Sequence, residues 1–352
     1  MDIFDAVVIG AGQAGLSTSH HLKRLKIPHV VLDADENPGG AWQHRWDALT
    51  MHDVHRVADL PGLDIGPDTG AERANHFVPA YFDRYATQFD LPIIRPVQVK
   101  SVHDASGLLI TTAADGRTWR SHTVVNATGT WTRPFVPRYR GQEHFAGRQL
   151  HTVDYAGPDD FSGRRVIVVG GGASAVQFIG AIAPVADHTQ WVTRSEPMWR
   201  TGTFTAEIGR EVVAQVEERV RQGLPPRSVV SVTGLALREQ ERAAEQLGVY
   251  AQRRPLFDRI EAGGVRWADG SFQKADVILW ATGFRPAIEH LAPLGLRSPR
   301  GGIQLDGTTA VADPRVQMVG YGPSASTIGA NRAGRVAARG VRSWINQSAT
   351  AS

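Results

Sequence analysis

The sequence predicts an α/β fold built from two Rossmann-like domains, the second inserted into the first. Residues 5–33 and 164–194 repeat one pattern: an apolar run, a glycine turn, a helical stretch and a second apolar run. This pattern is typical of a βαβ unit, and its repetition indicates two such units. The apolar runs at 6–9 and 166–169 lack polar alternation, as is typical of parallel strands buried on both faces.

The segments around the two units complete the predicted fold. Residues 78–90 have aromatic side chains at helical spacing, and residues 93–125 indicate short strands with a hairpin turn at Asp115-Gly116. Residues 205–250 are charged and helical in pattern. Three further predictions concern the carboxyl-terminal part: strands at 276–280 and 316–319, and a helix from about residue 330.

The amino-acid composition excludes several classes of function. The 352 residues suffice for two domains, and the formal net charge of +3 comes without a Lys/Arg block, which argues against nucleic-acid binding. The sequence has no cysteine, so a dithiol relay and thiolate metal sites are excluded. Its 13 histidines include no HExxH motif, so no protein metal site is predicted.

No membrane segment or secretory signal is expected. No run of 18 or more apolar residues occurs, which argues against a membrane span. The first five residues contain two acids and no basic residue, unlike a signal peptide. The predicted location is the cytoplasm.

The first glycine turn predicts a dinucleotide site. Gly10, Gly12 and Gly15 form a GxGxxG motif directly after a strand. The three glycines serve a tight turn, close approach to a pyrophosphate, and close packing of helix on strand. Asp33 ends the second strand, where a carboxylate favours a free ribose 2′-hydroxyl and repels a 2′-phosphate. The first unit therefore fits FAD or NAD.

The second glycine turn predicts the opposite ribose preference. Gly170, Gly172 and Ala175 form GxGxxA, and Arg194 occupies the place that the carboxylate holds in the first unit. A guanidinium can bind a 2′-phosphate through two hydrogen bonds, so NADPH is predicted over NADH. The alternative is that Arg194 is a solvated surface arginine.

Four more motifs point to a family. Gly39-Gly40-Ala41-Trp42 follows the first unit, Ala-Thr-Gly turns lie at 127–129 and 281–283, and FxGxxxHxxxY spans 145–155. Together with the glycine motifs, they resemble the class B flavoprotein monooxygenases. The likeness is to the short bacterial flavin-containing monooxygenases, which are related to the Baeyer–Villiger enzymes. It covers nearly the whole chain, and Tyr155 at the end of the motif favours the flavin-containing monooxygenase branch.

The resemblance implies the cofactors FAD and NADPH and their sites. The expected FAD-binding residues are Gly10, Gly12, Gln13, Ala14, Gly15, Asp33, Gly40, Ala41, Trp42, Met51, Val99, Ala127, Thr128, Gly129, Gly320 and Ile328. The expected NADPH-binding residues are Gly170, Gly172, Ala173, Ser174, Ala175, Thr193, Arg194, Ala281, Thr282 and Gly283. Phe145, Gly147, His151 and Tyr155 form an expected domain-linking motif. The implied domains are 1–159 with 283–352 for FAD, and 160–282 for NADPH.

One departure concerns the loop after Trp42. Members of the family often place an asparagine near the flavin there, whereas this chain has His52 and Asp53. Either side chain could act as a catalytic hydrogen-bonding group, or the histidine could be a solvated loop residue. Arg253 or Arg254 could approach the flavin, as an arginine does in Baeyer–Villiger enzymes, although no motif anchors that alignment.

The resemblance implies an NADPH-dependent monooxygenase that activates O2 as a flavin 4a-(hydro)peroxide. Small sulfides and amines are the expected substrates, with ketones as a further class. Two alternatives remain: a flavin reductase or NADPH oxidase without oxygen transfer, and a non-catalytic redox-sensing flavoprotein. The expected partners are a small-molecule substrate and O2, with no nucleic acid or membrane, and a homodimer is a reasonable expectation for this class.

Overall fold

The computed structural model describes residues 3–54, 57–68, 70–200, 206–226 and 234–351. The chain divides into two compact units. The first comprises Met1–Thr130, Arg210–Val229 and Pro286–Ser352, and the second comprises Trp131–Gly209 and Val230–Arg285. Both units are α/β with parallel strands, so the predicted α/β class is confirmed, while the insertion of the second domain into the first stays a prediction. Which unit binds which cofactor, and with which bounds, stays a prediction.

The secondary structure elements follow in chain order. The strands are β1 Ile3–Ile9, β2 His29–Leu32, β3 Ile93–Ile94, β4 Val99–Ala105, β5 Leu108–Ala113, β6 Thr118–Asn126, β7 Arg148–His151, β8 Arg165–Val169, β9 His188–Thr193, β10 Arg254–Pro255, β11 Arg259–Glu261, β12 Gly264–Arg266, β13 Phe272–Lys274, β14 Val277–Trp280, β15 Leu305–Asp306, β16 Thr309–Ala310 and β17 Val316–Met318. The α-helices are α1 Gln13–Arg24, α2 Ala74–Gln88, α3 Ala173–Ile182, α4 Ala206–Arg221, α5 Arg242–Gln246 and α6 Thr327–Ala351. The 3-10 helices are Gly40–Trp42, Gln142–His144, Thr152–Asp154, Pro158–Phe161, Glu239–Glu241, Glu289–Leu294 and Gly322–Ser324.

The first unit is built on one mixed sheet. Its strand order is β15-β16-β17-β6-β1-β2-β3, with β5 joined to β6 and β4 to β5. The central strand β1 pairs in parallel with β2 and β6, and its last four residues are buried. Gly116, with φ +89°, lies in the predicted hairpin turn, where the Ala113 amide donates to the carbonyl of Arg117. The hairpin prediction is therefore confirmed.

Small residues let α1 and α6 pack closely within the first unit. On α6, Ala333, Ala337 and Ala338 are buried. A Cβ added at Gly334 would lie 2.6 Å from the Ser17 hydroxyl oxygen and 2.8 Å from the backbone nitrogen of Thr18. Only glycine fits there, because no side-chain atom can occupy that space.

The second unit contains a parallel sheet with the strand order β10-β9-β8-β14-β7. A separate antiparallel sheet is formed by β11, β12 and β13. Strand β7 pairs along its whole length with β14, and these hydrogen bonds tie its segment to the second unit. Residues 131–159, which the sequence assigns to the first domain, therefore cluster with the second unit.

The helical prediction for 205–250 is confirmed over α4 and α5, whereas residues 222–226 and 234–238 are not helical. Residues 205 and 227–233 of that segment lie outside the described residues. Among the helices that are described, none combines the length and the apolar character needed to cross a membrane.

Candidate functional site

The first glycine turn joins β1 to α1 and leaves one side open. A Cβ at Gly10 would lie 2.7 Å from the Ala127 carbonyl oxygen, and a Cβ at Gly15 would lie 1.8 Å from the Gly10 carbonyl oxygen. These two positions need glycine because backbone packs directly against them. At Gly12 a Cβ would meet only the Gly40 Cα, at 3.9 Å. The free space beside Gly12 is where a dinucleotide pyrophosphate is expected in this fold.

The amino terminus of α1 is suited to an anion. Its N-cap is Gly12, no side chain caps it, and its first turn contains no acidic residue. The first amides of a helix lack intrahelical partners and carry the positive end of the helix dipole. An uncapped start of this kind can bind a phosphate through backbone N–H groups.

Three other predicted segments converge on this turn. A Cβ at Gly40 would lie 2.8 Å from the Gly12 Cα, and a Cβ at Gly320 would lie 3.8 Å from both the Ala14 Cβ and the Gly129 Cα. The GGxW loop, the first Ala-Thr-Gly turn and the turn after β17 therefore surround the start of α1. The residues present fit the pyrophosphate end of FAD.

Asp33 is buried at the end of the second strand and has two partners. Its Oδ1 accepts a hydrogen bond from the Ala11 amide at 3.2 Å, and its Oδ2 accepts one from the Arg95 Nε at 2.7 Å. Burial raises the pKa of the Asp33 carboxyl, while Arg95 and the Ala11 amide act in the opposite direction. The sequence did not indicate Arg95, because 62 residues separate the pair.

The remaining predicted FAD residues occupy varied positions. Val99 begins β4 and is half-buried, and the nearby Val97 amide donates to the Asp33 carbonyl at 2.6 Å. Met51 and Trp42 are partly buried, and both pack against one apolar core of the first unit. The Thr128 hydroxyl donates to the carbonyl of Ala287 at 2.6 Å. The side chain of Ile328 lies outside the described residues.

His52 and Asp53 lie in a turn of the first unit. The His52 side chain is exposed, and its amide donates to the Gly70 carbonyl. The Oδ2 of Asp53 accepts a hydrogen bond from the Thr50 hydroxyl at 2.8 Å. Asp53 therefore stabilises the turn, and a catalytic role for either residue stays a prediction.

The second glycine turn repeats the geometry of the first. A Cβ at Gly170, where φ is +147°, would lie 2.1 Å from the Ala281 carbonyl oxygen, whereas a Cβ at Gly172 would meet nothing within 4 Å. Gly172 is the N-cap of α3, which has no side-chain cap and no acid in its first turn. Ala175 is fully buried where Gly15 stands in the first turn. The residues here fit a second dinucleotide pyrophosphate.

The end of β9 carries two arginines. Arg194 is exposed and directly follows Thr193, whose hydroxyl donates to the carbonyl of Ser195 at 2.7 Å. Arg253 donates from Nη1 to the Thr193 Oγ1 at 3.1 Å and from Nη2 to Glu196 at 3.1 Å. Strand β10 pairs with β9, which brings Arg253 to this position across 60 residues of sequence.

Arg253 and Arg254 have separate environments. The sequence suggested that one of them could approach the flavin. In the structure, Arg253 contacts Thr193, and the guanidinium carbon of Arg254 lies 3.6 Å from the centre of the Trp267 ring. Both contacts lie within the second unit.

The motif at 145–155 supports the second Ala-Thr-Gly turn. Nε2 of His151 donates to the Gly283 carbonyl at 3.0 Å, and burial lowers the pKa of His151. Phe145 belongs to the apolar core of this unit, and Tyr155 packs on Phe178 with ring centres 4.3 Å apart. A Cβ at Gly147 would lie 2.4 Å from the Asp276 carbonyl oxygen. The four motif residues therefore act as a structural group within the second unit.

The family to which this chain belongs was identified by comparing its sequence with models of known protein families. The model for pyridine nucleotide-disulphide oxidoreductases matches residues 4–321. The chain belongs to this family. The solved structure of a flavin-containing monooxygenase from Stenotrophomonas maltophilia is 35% identical in sequence to this chain, and its TM-score is 0.84. The match covers 98% of this chain and 100% of that chain. The predicted relation to flavin-containing monooxygenases is thereby confirmed.

Two more distant relatives also match most of the chain. Indole-3-pyruvate monooxygenase YUCCA1 of Oryza sativa subsp. japonica is 26% identical over 310 residues, which cover 80% of this chain and 76% of the relative. Cyclohexanone monooxygenase from Rhodococcus sp. Phi1, solved bound to NADP+, is 20% identical at a TM-score of 0.62, covering 97% of this chain and 85% of that chain. This last likeness shows the fold.

These comparisons confirm an oxidoreductase of the flavin monooxygenase type, and with it the predicted cofactors FAD and NADPH. The family name includes disulphide reduction, but this chain contains no cysteine. A dithiol relay through protein thiols is therefore excluded for this family member.

Proposed function

We propose that this oxidoreductase uses NADPH to reduce bound FAD and then oxygenates small soft nucleophiles, namely sulfides and amines. Ketones are a second substrate class for the same site. FAD supplies the redox and oxygen chemistry when bound. The chain binds and orients the two cofactors, and the assignment of residues to each cofactor belongs to this proposal.

One observation carries the cofactor assignment: the second strands of the two βαβ units, β2 and β9, are followed by groups of opposite charge. The buried carboxylate of Asp33 suits a ribose that carries a free 2′-hydroxyl, as in FAD. The corresponding strand end in the second unit has the exposed Arg194, with Arg253 held beside it on Thr193. Two guanidinium groups at one strand end favour a 2′-phosphate, which distinguishes NADPH from NADH.

The substrate class is proposed from the likeness to flavin-containing monooxygenases. The motif ending in Tyr155 favours the flavin-containing monooxygenase branch, and a relative in that branch covers almost all of this chain. Soft nucleophiles are therefore tested first, and a cyclic ketone is tested second.

The coenzyme preference is tested by stopped-flow measurement of flavin reduction. Arg194→Ala and Arg253→Ala are each expected to lower kcat/KM for NADPH by about tenfold to a hundredfold, since a hydrogen bond to a charged group contributes roughly 1.5–3 kcal/mol. Neither change should alter kcat/KM for NADH. Arg120→Ala, which removes an exposed arginine from β6, is the matched control. Equal efficiencies of NADPH and NADH in the unmodified protein would refute the preference.

Oxygen transfer is tested by product analysis with methyl phenyl sulfide. The expected result is NADPH consumption matched by an equal amount of sulfoxide. Consumption that yields only hydrogen peroxide, with the sulfide and with cyclohexanone alike, would identify an NADPH oxidase. A flavin that NADPH does not reduce would instead support a non-catalytic redox-sensing protein.

A further inference from the structure

A cleft of about 600 Å³ lies in the second unit, away from its glycine turn. Its lining includes Arg148, Arg165 and Val277, which are the first residues of β7, β8 and β14. These three strands run parallel, so the cleft lies at their amino-terminal edge. The turn at Gly170 follows β8 at the opposite, carboxyl-terminal edge. The cleft is therefore separate from the proposed NADPH site.

Basic side chains dominate the cleft. Its lining contains Arg148, Arg164, Arg165 and Lys274 but one carboxylate, Asp276. Arg165 binds Asp276 through Nε at 2.9 Å and Nη2 at 2.5 Å, and the Arg165 amide adds a third hydrogen bond at 2.8 Å. This pairing lowers the pKa of Asp276 to about 2. The one acid of the lining is therefore already bound to one of the four bases.

The other bases remain available. Arg148 lies 3.7 Å from Asp160, a long contact between two side chains that are about half exposed. Arg164 and Lys274 are exposed, and neither has an ion-pair partner within 4.0 Å among the described residues. Three cations from separate segments thus face one concave surface, where the acids nearby are Asp160 beside Arg148 and Asp276, which also interacts with Arg164. Such a surface attracts anions, and the attraction is stronger in a concave site than on a flat one.

The rest of the lining is apolar. Ala146, Ala262, Ala275 and Val277 contribute to the wall, and the Phe272 ring lies at the cleft with 38% of its area exposed. A cluster of charged side chains that is only solvated by water would not require apolar side chains beside it. The combination favours an anion that carries an apolar or aromatic part, and the volume lies within the usual 300–1,000 Å³ range of small-molecule sites.

We propose that this cleft binds an organic phosphate, with the phosphate held by Arg148, Arg164 and Lys274 and the organic part against Phe272. A phosphate is favoured over a carboxylate because its third terminal oxygen and its second negative charge match several cations at once. This site is additional to the cofactor sites, and it does not depend on the proposed substrate class.

The test is isothermal titration of 1-naphthyl phosphate into FAD-loaded protein that has been saturated with NADP+. The expected result is saturable binding, weakened about tenfold or more by the double variant Arg164→Ala, Lys274→Ala, since the variant removes two charged groups that would bind the phosphate. Arg120→Ala is the control and should leave the affinity unchanged. Neutral 1-naphthol should not bind.

Three results would overturn the proposal. The first is no binding of the phosphate. The second is equal affinity in the double variant and the unmodified protein. The third is binding that occurs only in protein without NADP+, because that would place the probe in the coenzyme site. Hydrogen exchange gives an independent readout: the bound probe should slow exchange around residues 146–148 and 272–277.

Discussion

Asp33 shows how a single buried charge depends on a partner that is distant in sequence. Its carboxylate is almost inaccessible, and Arg95 is the cation that pairs with it. Removing one member of a buried ion pair leaves the other charge uncompensated, which costs about 3–5 kcal/mol. The stability of the first glycine turn therefore depends on a residue outside every motif.

Arg95→Met is expected to lower the free energy of unfolding by about 3–5 kcal/mol. The pKa of Asp33 should rise further, because the hydrogen bond and the charge of Arg95, which lower this pKa, are lost in the variant. Urea unfolding followed by tryptophan fluorescence measures the change. The double variant Arg95→Met, Asp33→Asn should recover much of the loss. If the double variant is as unstable as the sum of both single variants, the two residues do not interact.

The buried histidine His290 is expected to make the stability of the folded chain sensitive to acid. It is buried beside Asn126, whose Oδ1 accepts its Nε2–H at 2.8 Å, and burial lowers its pKa from 6.5 to about 4. Glu289 opposes this shift. Between those two pH values the unfolded chain binds a proton that the folded chain does not. Stability from this group is therefore present above pH 6.5 and is lost as the pH falls towards 4.

His290→Gln should reduce the loss of unfolding free energy between pH 7.5 and pH 4.5 by about 3 kcal/mol. The glutamine amide can still donate to Asn126, so the pH slope is the informative quantity rather than the stability at one pH. An unchanged slope in the His290 variant would contradict the assignment.

At the scale of elements, helix boundaries depended on contacts that the sequence pattern does not contain. The aromatic spacing predicted a helix from residue 78, whereas α2 begins at Ala74 and includes Pro79. The Ala74 amide donates to the Leu49 carbonyl at 2.8 Å, so a neighbouring segment fixes the helix start. The boundary predicted from the aromatic spacing was therefore four residues too late.

Gly334→Ala should destabilise the contact between α1 and α6 by about 1–3 kcal/mol, because the added carbon would overlap Ser17 and Thr18. Helix propensity alone predicts a gain of about 1 kcal/mol for the same change. Thermal unfolding distinguishes the two signs. Ser343→Ala, on the exposed side of α6, is the control and should have little effect.

The steric clash extends beyond one side chain. Adding Ser17→Gly to Gly334→Ala should not restore stability, because the Thr18 backbone nitrogen would still lie 2.8 Å from the new carbon. Full recovery in that double variant would show that the Ser17 hydroxyl alone is responsible.

At the scale of the whole molecule, the two glycine turns should serve different cofactors independently. Gly12→Ala and Gly172→Ala place a carbon in space that holds no close protein atom, so both variants should fold with near-normal stability. Gly12→Ala is expected to be purified without FAD. Gly172→Ala should retain its flavin, while its KM for NADPH rises by about tenfold or more, because the carbon would meet the pyrophosphate.

Absorbance spectra and reduction by dithionite measure flavin content, and stopped-flow reduction measures NADPH use. Gly157→Ala is the matched control, since a Cβ there also meets nothing within 4 Å and the backbone is extended with φ 166°. Normal NADPH kinetics in Gly172→Ala would exclude the second turn as the coenzyme site.

Much of the fold followed from local patterns. The spacing of Gly10, Gly12 and Gly15 determines a tight turn between strand and helix, and the uninterrupted apolar runs determine buried parallel strands. The hairpin at Asp115-Gly116 and the helix near the carboxyl end were predicted for the same reason. Each of these features depends on the backbone geometry of a few consecutive residues, and the residue types at those positions predict that geometry.

The sequence by itself determined two glycine turns, a carboxylate after one and an arginine after the other. Only the tertiary structure decided that Arg95 pairs with Asp33 and that Arg253 lies on Thr193, across 62 and 60 residues. It also brought Arg148, Arg164 and Lys274 to one cleft. The physical reason is that turns and strands are governed by neighbouring residues, whereas charge pairs depend on the path of the whole chain.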